Sequence, residues 1–118
     1  MSAMDVTIYH NPRCSKSRQA LALLQEKGLE PRVVEYLKTP PTRDELAAIV
    51  KATGEPVRAL LRKQGSPYED LGLDDGKWSD DALLDFMAEH PSLLNRPVIV
   101  TEKGARLGRP TERILEIL

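Results

Sequence analysis

Cysteine is all but missing from this chain: its 118 residues include one, Cys14. A single thiol closes no internal disulfide, so any thiol partner must be another molecule, and a cytoplasmic location is expected. Histidine is scarce as well. His10 and His90 lie far apart, and with one cysteine they make no recognisable metal-ligand spacing; no bound metal or cofactor is expected. No apolar run nears the roughly 20 residues needed to cross a bilayer. Met1-Ser2-Ala3-Met4-Asp5 has no basic stretch leading into an apolar one, so neither a membrane anchor nor a leader peptide is expected. The net charge of −1 leaves no global basic field for nucleic acid and no acidic tail. Internal repeats and low-complexity segments are absent. What remains is 41% hydrophobic and 30% charged, the balance of ordinary globular proteins, at a length that suits one domain with its own core.

The lone cysteine sits in an unusual place. Val6-Thr7-Ile8-Tyr9 alternates like a short buried strand, and Gln19-Ala20-Leu21-Ala22-Leu23-Leu24 reads as a helix. Between them runs His10-Asn11-Pro12-Arg13-Cys14-Ser15-Lys16-Ser17-Arg18. Cys14 therefore falls at a strand-to-helix turn, at or next to a helix N-terminus. Unpaired N–H groups and the helix dipole favour a thiolate there, and the same groups favour a docked oxyanion. Arg13, Lys16 and Arg18 add positive charge close by in sequence. A lone cysteine is commonly a small buried residue. These basic, polar flanks point to a reactive thiolate instead.

Taken in order, a helix is expected over about Cys14–Lys27, stopped by Gly28. A second strand follows at Arg32–Leu37, parallel to the first through a right-handed crossover. After Pro40-Pro41, Thr42 and Glu45 form a capping box for a helix that ends at Gly54. Val57, Leu60 and Leu61 suggest another short helix. The stretch 64–77 reads mostly as loop, and Ser79 caps a further helix that His90-Pro91 closes. Arg96–Thr101, the turn Glu102-Lys103-Gly104 and Ala105–Gly108 read as a hairpin, and a last helix starts at Arg109-Pro110. The order gives an α/β fold: βαβ plus ββα around a mixed four-stranded sheet, with a helical insertion at about 40–94 between strands two and three. The whole is expected to be a single domain spanning 1–118.

The strand-end cysteine, the proline heading strand three and the βαβ…ββα order look like the thioredoxin fold. The narrower motifs resemble the glutaredoxin-coupled arsenate reductases: His10–Arg18, Pro40–Leu46, Val57–Lys63, Leu94–Pro97 and Gly104–Pro110. The likeness runs through nearly the whole chain in order. It implies that a Cys14 thiolate attacks arsenate, that Arg62, Arg96 and Arg109 hold the oxyanion and its adduct, and that His10 and Ser17 support the thiolate. Glutathione as co-substrate and glutaredoxin as protein partner then complete the reduction to arsenite. The resemblance also implies a cis Arg96–Pro97 bond. The chain departs from the family in two places. Familiar members run on for about two dozen residues past the last motif, whereas this sequence stops at Leu118. Gly108 also stands where they often carry an extra cysteine.

Physical chemistry agrees with those roles. The planar fork of arginine donates paired hydrogen bonds to oxyanions. Each residue also has a plainer reading: a solvated arginine, a hydrogen-bonded turn histidine, a first-turn serine. Arg58, near Arg62, serves as the plain comparison, and His90 and Trp78 read as helix-end and packing residues. Two other functions fit the motif. One is a thiol reductase acting on glutathione adducts, which needs Cys14 but not the arginines. The other is an RNA-polymerase-binding regulator like the related Spx proteins, whose Cys-x-x-Cys switch is broken here by Ser17. A monomer is expected, and a Cys14 exposed enough to admit a tripeptide thiol and then a protein.

Overall fold

The strand Val6–His10 (β1) is the middle of the fold's sheet. In the computed structural model, which describes residues 5–118, β1 pairs in parallel with Arg32–Glu35 (β2) and antiparallel with Val98–Thr101 (β3). Gly104–Leu107 (β4) pairs antiparallel with β3, giving a four-stranded mixed sheet in the order β2-β1-β3-β4. The β1–β2 crossover is the helix Ser15–Glu26 (α1). Among the described residues, 5–39 together with Arg96–Leu118 form one compact unit, and Pro40–Asn95 form a second.

The first unit is held by a core of Val6, Ile8, Ala20, Leu24, Ile99, Ile114 and Ile117. Alternation along β1 sends Val6 and Ile8 to the face that α1 covers with Ala20 and Leu24. Burying a side chain such as Leu24 contributes about 1.5–3 kcal/mol, so this face fixes how α1 lies on the sheet and with it the turn that starts α1. The chain leaves α1 at Lys27 and turns at Gly28, whose φ of 77° is the left-handed region.

In the second unit the helices Arg43–Thr53 (α2) and Asp80–Glu89 (α3) begin as their sequences dictate. Thr42 and Glu45 form the reciprocal capping box, and Ser79 accepts from the Ala82 N–H. The Arg43 side chain bridges to Asp81 and Asp85 on α3. Trp78 packs edge-on against Phe86, with ring centroids 5.0 Å apart.

Several boundaries differ from the sequence reading. Both β2 and β3 are shorter than expected, because a turn begins after Glu35 and pairing starts only beyond Pro97, which has no N–H to give a ladder. The short segment Val57–Leu60 is a 3-10 helix, and so is the last helix, Thr111–Ile117. The closing carbonyls of that last helix are taken by side chains: Thr101 Oγ1 donates to Ile117 O at 2.7 Å and Lys103 Nζ to Leu118 O at 2.9 Å. The Arg96–Pro97 bond is cis, as the resemblance implies; Arg109–Pro110 is cis too.

Arg58 is not the bystander it seemed. Its two Nη groups donate to the carbonyls of Leu73 and Asp75, each at 2.8 Å, and so tie down the loop 64–77. Replacing it would loosen that loop, which makes it a poor neutral comparison for Arg62.

Candidate active site

The end of β1 and the start of α1 build the site. Asn11 closes the turn between them in three ways. Its carbonyl accepts from Cys14 N at 3.0 Å, its Oδ1 accepts from Arg13 N at 3.0 Å, and its own N–H donates to Ser17 Oγ at 3.0 Å. The turn leaves Cys14 as the N-cap residue of α1, in extended backbone geometry with φ −94° and ψ 122°. The cysteine side chain takes the place that Ser, Thr or Asp fills at most helix starts, but makes no cap hydrogen bond of its own. The first-turn N–H groups act on the sulfur through their charge.

Four of the expected residues join Cys14, from afar in sequence or across the first turn. Arg109 Nη2 lies 3.5 Å from the Cys14 sulfur, and Arg109 Nε donates to the Arg96 carbonyl at 2.7 Å. Arg96 also bears on the thiol through its charge. Sheet order explains the meeting: β3 lies beside β1, and the β3–β4 hairpin returns the chain so that Arg96 and Arg109 flank the same end. His10 Nδ1 and Ser17 Oγ share a bond of 2.6 Å beneath the turn, both buried. Arg62 belongs to the second unit, where its Nε donates to Gln64 O at 2.7 Å and its backbone N–H to Leu93 O at 2.7 Å.

These surroundings set the proton affinities. Burial is the largest influence on Cys14 and opposes the thiolate. The Ser17 N–H, the Arg96 charge, the Lys16 N–H and the Arg109 charge together outweigh it, so the thiol titrates below its ordinary value. The flanking side chains Arg13, Lys16 and Arg18, which suggested a thiolate in the sequence, are not its source. Arg18 instead donates to Pro12 O at 2.9 Å, and its charge acts on His10. Burial lowers the pKa of His10 most; Glu35 pulls it back up and Arg18 pushes it down further, with a net fall, so the ring is neutral at pH 7. Alkylation of Cys14 by iodoacetamide, followed from pH 5 to 10, is expected to show a midpoint below the free-cysteine value of about 8.5; a midpoint at or above it contradicts the arrangement. Because the folded-state pKa is depressed, the thiolate adds stability at pH above the unfolded value. That contribution fades as pH falls through the folded midpoint.

The thiol is less open than expected, with a relative exposure of 9% for Cys14, while Pro12, Arg13, Ser15 and Lys16 around it are exposed. A buried Cys14 flanked by exposed residues replaces the partly exposed one read from the sequence. Asn11 was not singled out there; its signal was the Asn-Pro pair, a frequent turn former. Among the described residues no group of three or more His, Cys, Asp or Glu side chains is placed to hold a metal ion, and no helix is long and apolar enough to cross a membrane.

Residues 9–117 match the ArsC family. The chain belongs to the ArsC family. The arsenate reductase of Escherichia coli strain K12 is 54% identical over 114 residues, 97% of this chain and 81% of that protein. An uncharacterized protein of the same organism, YfgD, is 46% identical over 97% of both chains. Among solved structures, the arsenate reductase from Vibrio cholerae superposes with a TM-score of 0.94 at 50% identity, over 99% of this chain and 100% of that one. The ArsC likeness covers the whole βαβ…ββα order, so the α/β fold with its mixed sheet is that of the family's known structures.

Proposed function

We propose that this chain is an arsenate reductase: it reduces arsenate to arsenite with glutathione and glutaredoxin, as a monomeric, single-domain cytoplasmic enzyme with residues 40–94 as a helical insertion. The observation that carries the reading is the contact of 3.5 Å between the Arg109 guanidinium and the sulfur of Cys14, at a helix N-terminus. A thiolate beside a guanidinium is both a nucleophile and the edge of an oxyanion cradle.

The Cys14 thiolate attacks arsenic and an arsenate oxygen leaves as water, forming a sulfur–arsenic(V) adduct. Arg96 and Arg109 match its negative charge, and Arg62 joins them by its place in the Val57–Lys63 motif. His10 and Ser17 hold the turn that presents the sulfur. Glutathione then forms a sulfur–sulfur bond with Cys14 as the sulfur–arsenic bond breaks. The electron pair of that bond stays on arsenic, which leaves as arsenite, As(III). A glutaredoxin thiolate takes the glutathione from the mixed disulfide and restores Cys14.

The test is a coupled assay that follows NADPH oxidation with glutathione, glutaredoxin and glutathione reductase. Arsenate-dependent turnover is the expected result. NADPH oxidation that arsenate does not stimulate, with a glutathione mixed disulfide as the better substrate, would establish the thiol-reductase reading instead.

A further inference from the structure

The described arginines sort by what their guanidinium groups are tied to. Arg58 spends both Nη groups on the carbonyls of Leu73 and Asp75. Arg43 and Arg106 are paired with carboxylates. Arg62 and Arg109 share another pattern, in which Nε is anchored at 2.7 Å on a backbone carbonyl, Gln64 O for one and Arg96 O for the other. An arginine held by Nε keeps its end-on pair of Nη groups for a two-pronged bond to an oxyanion. In Arg109 that end meets the nucleophilic sulfur. In Arg62 the Nη groups form no hydrogen bond within the second unit.

What permits the Arg62 posture is Gly65. A Cβ on Gly65 would lie 2.6 Å from Nη2 of Arg62, 3.2 Å from Cζ and 3.4 Å from Nε, so the guanidinium rests on the bare Cα face of this glycine. The turn is wound tightly enough for this by the φ of 71° at Gly65 and by a hydrogen bond from Ser66 Oγ to Arg62 O. The atom in the way is the far end of a flexible side chain. A residue larger than glycine would therefore be accommodated cheaply in stability, by moving the guanidinium off its anchor.

We infer that Gly65 is a positioning residue for Arg62, setting the direction in which the Nη pair is offered to an arsenate-type oxyanion. This rests on the reading above, in which Arg62 ligates the substrate. The backbone itself requires positive φ, so the informative substitution is Gly65→Asn, since asparagine tolerates that region. Gly54→Asn is the matched control, at φ 70° with nothing within 4 Å of a Cβ. The two variants should melt alike. Gly65→Asn should raise the arsenate KM about 10-fold, the lower range for loss of one charge-assisted hydrogen bond. Gly54→Asn should leave it unchanged, and Gly65→Asn added to Arg62→Ala should raise it no further. The Nε–H resonance of Arg62, assigned through Arg62→Ala, should shift in Gly65→Asn and stay in place in Gly54→Asn. A KM equal to that of Gly54→Asn with the resonance in place overturns the inference, and so does an equal rise in the Arg62→Ala background. If Arg62→Ala leaves turnover intact while the resonance still moves in Gly65→Asn, Gly65 does hold Arg62, and the oxyanion role of Arg62 is what fails.

Discussion

Arsenate turnover is expected to fall to background when glutathione is withheld and thioredoxin with its reductase is supplied in its place. Reducing As(V) to As(III) takes two electrons, and forming one disulfide releases two. An enzyme with a second nearby thiol can make that disulfide within itself. Here Cys14 is the one cysteine, so the other sulfur must come from outside. With Arg13, Ser15 and Lys16 exposed around a Cys14 of only 9% exposure, a small thiol is favoured for the first encounter, and the larger partner meets the mixed disulfide afterwards. Cys14→Ser should abolish turnover under every reductant, since a hydroxyl at this position stays protonated and the adduct never forms. Full activity with thioredoxin alone would remove glutathione from the mechanism.

Arg109→Ala should cost roughly 10- to 100-fold in arsenate-dependent kcat/KM, the equivalent of one charge-assisted hydrogen bond of about 1.5–3 kcal/mol. The loss should have two parts that pH separates. Arg109 is among the groups that depress the Cys14 pKa, so its removal raises the alkylation midpoint. Below that midpoint the variant loses thiolate as well as oxyanion contacts; well above it the thiolate is fully restored and only the oxyanion part of the deficit persists. Measuring kcat/KM across pH alongside alkylation gives both parts. A deficit that vanishes at high pH would leave Arg109 a role in thiol ionisation alone, and no change at any pH would remove it from the site. Lys51, exposed on α2, offers a neutral comparison that Arg58 does not.

Where a local rule decides the backbone, the sequence was a sufficient guide. Thr42 with Glu45, Ser79, and Gly54 at a left-handed helix end are each satisfied within a few residues, and each stands where its pattern put it. The position of Cys14 is of the same kind, because a strand, a proline turn and a helix follow one another directly. The electrostatics were less legible. Basic flanks suggested that Arg13, Lys16 and Arg18 made the thiolate, but Arg18 is tied to the Pro12 carbonyl and acts on His10, and none of the three side-chain charges is among those that act on the sulfur. The charges that act, on Arg96 and Arg109, arrive through the pairing of β3 with β1 and the return of the hairpin. Their roles could be named from motif resemblance, whereas their meeting depends on sheet order. The 3-10 winding of the last helix is illegible in the sequence for a similar reason, since the partners of its closing carbonyls, Thr101 and Lys103, lie at the far end of that hairpin.

Gly108 has a bearing on where a second thiol could stand in this fold. A Cβ there would sit 3.0 Å from Cγ of Pro97 and 3.4 Å from atoms of Ile99 and Ile114. The tight neighbour is the Pro97 ring; the two isoleucines are at ordinary contact distance. A side chain at this place would need that ring to give by a few tenths of an ångström. A second thiol beside Arg109 is therefore within reach of a small local adjustment, and the chain's single thiol is a matter of which residue stands at 108 more than of what the fold can hold.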